Sequence, residues 1–163
     1  MTPGTGHDAT VLQRAVVWTH VASIQLRRAY DALEDMVERD DATYGDWWLS
    51  DANVHYTLLA LSHVVKACDL ESRLPQHDES QLLTLLRNFR EHWEDPDGRS
   101  GRALDGLRPG HREEPIAFML GELWFYGVES AEIQVWLRDV DRAARAALES
   151  LGEPAPARDA QIR

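Results

Sequence analysis

Leu82-Leu83-Thr84-Leu85-Leu86-Arg87-Asn88-Phe89-Arg90-Glu91-His92-Trp93-Glu94 carries two patterns at once. Leu82, Leu86, Phe89 and Trp93 recur at three-four spacing, which is one face of an amphipathic helix. Asp78 and Gln81 have the spacing of a capping box, and Asp95-Pro96-Asp97-Gly98 is a strong stop. The spacing therefore predicts a helix over 78–94. Its polar side carries Arg87, Asn88 and His92, a set suited to phosphate chemistry. Arginine presents a planar fork of donors, histidine moves a proton near neutral pH, and asparagine both donates and accepts.

The same periodicity extends outward. Over 8–39, Leu12, Ala15, Ala22, Leu26, Ala29, Leu33 and Met36 form a nearly heptad stripe with Thr19 in its gap. The stretch 40–46 breaks that helix. Ser50 is the expected cap of a second one over 50–72, with stripe Val54, Leu58, Leu61, Val65 and Cys68. Residues 95–113, rich in Gly, Arg and Pro, read as a mobile loop, and 115–128 as a small β-hairpin turning on Gly121, or else a short buried helix. Ser130 is the expected cap of a last helix over 131–151, with Ile133, Val140, Ala144 and Leu148 inward. Four helices with short links argue an all-α, antiparallel four-helix bundle. The expectation is one helical domain over 8–151, a flexible start over 1–7 and a disordered tail over 152–163.

Bulk properties narrow the class. No window approaches 18 uninterrupted apolar residues, so no membrane span is expected. The first residues lack the basic start and apolar core of a signal peptide. The single cysteine, Cys68, sits in an apolar stripe and suits a reduced, cytoplasmic protein. The net charge of −11 opposes non-specific binding to a polyanion. It is uneven, however: residues 81–120 hold seven acids against six arginines, whereas 41–80 hold seven against two bases.

The order Arg87-Asn88-x3-His92 resembles the HEPN superfamily of small helical proteins, whose hallmark is Arg, a polar residue and then His four to six residues on. The resemblance implies a HEPN-like bundle and a metal-independent endoribonuclease, in the manner of a toxin or defence effector, assembled as a homodimer and needing no cofactor. On one helix Asn88 and His92 point nearly the same way, while Arg87 lies about 140° round from His92 at 100° per residue. A two-fold interface would bring the second copy of the motif to complete the site. His92 would be general base for a ribose 2′-hydroxyl attacking the adjacent phosphate, with Arg87 stabilising the phosphoryl oxygens and Asn88 orienting. Arg99 and Arg102 would contact the RNA backbone. Where the HEPN toxins paired with nucleotidyltransferase antitoxins often carry a Tyr two residues after the His, this chain has Glu94.

A second account of the same helix needs no substrate. Arg87–Glu91 and Arg90–Glu94 are i,i+4 pairs of opposite charge, ordinary on a solvated face. The chain would then be a non-catalytic partner-binding module, such as the silent member of a regulatory or toxin–antitoxin pair. Arg14 and His20 repeat the bare Arg-to-His spacing, with Ala15 in the polar position, and are expected to be idle. His20, His55 and His63 offer no adjacent helical pair to start a metal site. Tyr44, Trp47 and Trp48 could stack on a base, but aromatics beside a turn more often plug a core.

Overall fold

The computed structural model describes residues 5–39, 41–92, 95, 97–107, 116–119, 122–125 and 127–157. The 34-residue helix α1 (Thr5–Glu38) is about 50 Å long at 1.5 Å per residue. Leu12, Ala15, Thr19, Ala22, Leu26, Ala29, Leu33 and Met36 are all buried along it, so the heptad stripe is the core face. α1 begins at Thr5, which makes the last residues of the expected flexible start helical.

Helix α2 (Tyr44–Leu70) starts six residues before the expected Ser50. Its cap is Thr43, whose hydroxyl accepts from Asp46 N–H at 3.4 Å while the Asp46 carboxylate accepts from Thr43 N–H at 2.7 Å. This reciprocal pair satisfies two otherwise orphaned donors. Ser50 is instead a buried residue inside the helix, donating to the Ala32 carbonyl of α1 at 3.4 Å.

Helix α3 (Ser80–Glu91) is shorter at both ends than expected, and the Asp78–Gln81 capping box does not form. His77 does that work: its Nδ1 accepts from Glu79 N–H at 3.0 Å, and its carbonyl accepts the Ser80 hydroxyl at 2.5 Å. The expected loop over 95–113 contains a further helix, α4 (Arg99–Leu107). Leu104 and Gly101 are buried where α4 packs on α3. One buried leucine and one buried glycine are all that α4 sets into the core, a signal hidden in a Gly- and Arg-rich stretch. Residues 108–115 lie outside the described residues.

The expected hairpin forms as β1 (Ile116–Met119) and β2 (Glu122–Phe125), paired antiparallel with Met119 opposite Glu122. Its turn, including Gly121, lies outside the described residues. A third strand, β3 (Val128–Glu129), extends the sheet in the order β1-β2-β3. Phe125 pairs with Val128, and Gly127 between them has φ 84, a conformation that favours glycine. Buried Leu123, Phe125 and Val128 seat the sheet on α5 (Ser130–Leu151). Ser130 is the first residue of that helix rather than its cap, which is Glu129 without a side-chain bond. At the other end Gly152, at φ 70, lets Gly152 N–H reach Glu149 O and Glu153 N–H reach Leu148 O, each at 3.0 Å.

α1 lies between α2 and α5, α2 also packs on α3, and α3 on α4. The pairings run antiparallel. Ser50 at the start of α2 meets Ala32 near the end of α1, and Arg90 near the end of α3 meets Asp51 near the start of α2. Gln13 of α1 donates to Pro154 O beyond α5 at 3.4 Å, and Arg145 donates to Pro156 O at 3.1 Å. Those carbonyls belong to the segment expected to be disordered; residues 158–163 lie outside the described residues. The protein is thus mostly helical, and its described residues form five helices around one apolar core with a small antiparallel sheet. Among the described residues no helix is long and apolar enough to cross a membrane.

Candidate functional site

The end of α3 holds the side chains that the sequence singles out. Arg87 donates to Asn88 Oδ1 at 2.8 Å and forms an ion pair with Glu91 at 2.7 Å. The guanidinium is therefore shared between a neighbouring amide and the carboxylate one turn on, while its Nε is buried without a hydrogen-bond partner. Arg90 does not wait for Glu94, which lies outside the described residues. It bonds the Asp51 carboxylate, and its guanidinium also reaches the Asp51 carbonyl at 3.3 Å. That bond fixes the last turn of α3 against the first turns of α2.

His92 is the exposed C-cap of α3, with its backbone N–H on Asn88 O at 3.2 Å. Beyond it the chain turns tightly, Asp95 N–H on His92 O and Gly98 N–H on Asp95 O, each at 3.0 Å, before entering α4. The turn encloses a groove of about 340 Å³ lined by Phe89, His92, Asp95, Gly98, Arg99 and Ser100. The fold thus brings His92 and Arg99 to one groove and ties Arg87 to Asn88. It does not bring Arg87 into the groove of His92, and Arg102 turns back to the Asp97 carbonyl. One chain supplies a histidine and an arginine to the groove, with an acid beside them.

One feature went unread in the sequence, and a second was read differently. The first is a cleft of about 680 Å³ between the early turns of α1 and the late turns of α2, where Arg14, Trp18, His63 and Lys66 meet. His63 lies parallel to Trp18, with ring centroids 4.0 Å apart and planes 15° apart. Burial pushes its pKa below the ordinary histidine value, and the nearby charges of Arg87 and Lys66 push the same way. A usable signal was present: Arg14 and Trp18 are four apart, His63 and Lys66 three apart, so each pair shares a helix face. Their meeting depends on the antiparallel register of α1 and α2, which neither face reveals alone.

The second is an aromatic face on the first turns of α2. Tyr44, Trp47, Trp48 and Leu49 are 77%, 58%, 60% and 61% exposed. They plug no core, contrary to the sequence expectation. Tyr44 and Trp48 meet edge to face at 5.8 Å, so the exposed rings hold one another in place.

His20 faces a different cleft, between α1 and α5, alongside Arg138, Asp141 and Arg145. Among the described residues no three His, Cys, Asp or Glu side chains converge as a metal ion would require. Compared with protein-family models, curated proteins and solved structures, the chain matches none.

Proposed function

We propose that the chain is a helical protein-binding module whose partner docks on the aromatic first turns of α2. The exposure of Tyr44, Trp47 and Trp48 carries this reading. A large aromatic side chain buries about 150–250 Å², so three rings more than half exposed leave roughly 300–500 Å² uncovered. A contiguous apolar patch of that size, with Leu49 added, matches the patches of about 300–600 Å² that mark interaction sites on soluble proteins. Tyr and Trp are also the residues that most often anchor such interfaces.

The rim defines the partner. Residues 35–51 hold six acids against one base, and that base, Arg39, is already taken up by Asp35, Asp41 and Asp46. A partner with an apolar pocket ringed by Lys or Arg complements this surface; a second copy of the same face would meet it acid to acid. The Arg87–Glu91 pair fits the same account, because a neutralised arginine is what a solvated structural helix needs. Buried Cys68 fits a reducing, cytoplasmic setting.

The experiment compares the wild-type chain with Trp47→Glu/Trp48→Glu as bait for proteins expressed beside it. A basic partner that the wild type retains at stoichiometric yield and the variant loses, with unchanged helical content, supports the module. Equal retention by both, or none by either, removes it.

A second reading has its own observation. The groove shared by His92 and Arg99 supports a HEPN-like helical protein acting as a metal-independent endoribonuclease. His92 would take the proton of a ribose 2′-hydroxyl; the resulting oxygen would attack the adjacent phosphorus, expelling the 5′-oxygen and closing a 2′,3′-cyclic phosphate. Arg99 would sit on the phosphoryl oxygens. Arg87, engaged by Glu91 in its own chain, would serve the groove of a second copy in a homodimer.

A further inference from the structure

The cleft between α1 and α2 has a division of chemistry that neither functional reading uses. Its volume, about 680 Å³, lies within the range of roughly 300–1,000 Å³ typical of small-molecule sites. Val11, Ala67 and Leu70 form apolar walls, and the Trp18–His63 stack supplies aromatic surface. Arg14 and Lys66 stand at the same opening, and among the described residues no carboxylate lines it.

The chain as a whole has 28 acids for 17 Lys and Arg. Arg27, Arg39, Arg73, Arg87, Arg90, Arg142 and Arg145 each pair with an acid. Arg14 and Lys66, the only lysine of the protein, pair with none among the described residues, as is also true of Arg28, Arg99, Arg102 and Arg138, but they alone of these face one cleft together from two helices. Two uncompensated cations from different helices, facing one cleft in an acidic protein, form a local positive field. His63 itself stays neutral at physiological pH and keeps one ring N–H to donate.

We propose that this cleft binds an organic phosphate of mononucleotide size, its phosphate between Arg14 and Lys66 and its flat apolar body against Trp18, Val11 and Leu70. Phosphate suits paired cations of two kinds, since Arg offers a fork and Lys a mobile point charge. Inorganic phosphate would leave most of the volume and all of the apolar wall unused. Aromatic bodies stack readily on exposed ring edges and faces. The site is independent of the α2 aromatic face and of His92, so its failure would leave both earlier readings standing.

Isothermal titration with adenosine monophosphate, inorganic phosphate and adenosine tests it. Adenosine monophosphate should bind saturably with a one-to-one stoichiometry, and the other two more weakly. Arg14→Gln and Lys66→Gln, both exposed and without fold contacts to lose, should each weaken the nucleotide about tenfold while leaving the thermal midpoint unchanged. Leu70→Ser should weaken the nucleotide but not inorganic phosphate. No saturable nucleotide binding overturns the proposal. So does nucleotide binding indifferent to both cation substitutions, or adenosine binding as tightly as its phosphate.

Discussion

Trp18 of α1 and His63 of α2 lie face to face, 4.0 Å between ring centroids, and this stack joins the two longest helices of the fold. Burial first, then the charges of Arg87 and Lys66, hold His63 below its ordinary pKa. His77 is lowered too, by burial against the opposing pull of Asp78, Glu132 and Glu79. A histidine with a depressed folded pKa costs nothing while both states are neutral. Once pH falls below the unfolded value near 6.5, the unfolded chain binds more protons and stability is lost. Urea midpoints should therefore hold steady above neutrality and fall between about pH 6.5 and pH 5, before carboxylates titrate. His77→Gln should flatten part of that fall, since protonation of the native His77 also destroys the acceptor of Glu79 N–H. A midpoint constant over that window would refute the assignment.

Cys68 offers a chemical check on the core. Burial pushes its thiol up to about 12, with Asp69 adding to the effect. Reactivity belongs to the thiolate, so the native protein should resist a water-soluble thiol reagent at neutral pH and react stoichiometrically in urea. Rapid labelling of the folded chain would mean that the α2 stripe is open.

The ribonuclease reading predicts cleavage of single-stranded RNA in excess EDTA, with cyclic phosphate ends. A general base contributes on the order of 10²–10⁴-fold, so His92→Ala should abolish the activity, as should Arg87→Ala. Asn88→Ala should cost less, and Arg14→Ala with His20→Ala should leave cleavage in place. Light scattering should show a dimer at micromolar concentration. Retained cleavage by His92→Ala, or loss of activity with EDTA, would place the chemistry elsewhere.

Gly98 governs the docking of α4. A Cβ there would stand 2.9 Å from the Asp95 backbone oxygen and 2.8 Å from Asp95 Cγ. The carboxylate can swing aside, but the backbone oxygen is fixed by its bond from Gly98 N–H. Gly98→Ala should cost about 1–3 kcal/mol, in the range of other overpacking changes, and loosen the groove between His92 and Arg99. Leu104→Ala should cost about 2–5 kcal/mol. Denaturant melts check both; an unaltered Gly98→Ala midpoint would mean that the turn relaxes freely.

How far the sequence reached depends on the range of the interaction that decides each element. α1 and α5 were legible because a long stripe of buried residues repeats at helical spacing and needs no partner to be recognised. The start of α2 was missed because its first turns face outward: Tyr44, Trp47 and Trp48 break the inward stripe, and only the Thr43–Asp46 box marks the boundary. α4 was missed because Leu104 is its one large buried anchor. At the site, the Arg87–Glu91 pair could be read from i,i+4 spacing, whereas Arg90 found Asp51, 39 residues away, which no local rule supplies. The Arg14–Lys66 cleft was illegible for the same reason.

The position of α1 between α2 and α5 imposes an order on folding during synthesis. The α1–α2 hairpin closes over a short link and can form once both helices have left the ribosome. The stripe of α1 that faces α5 has to wait, since the bond from Gln13 to Pro154 spans 141 residues. Until then a long apolar surface of α1 is uncovered, at the stage when nascent chains are most prone to associate with one another. Slowed translation of the last helix should lengthen that exposure and lower soluble yield, even though the finished protein is unchanged.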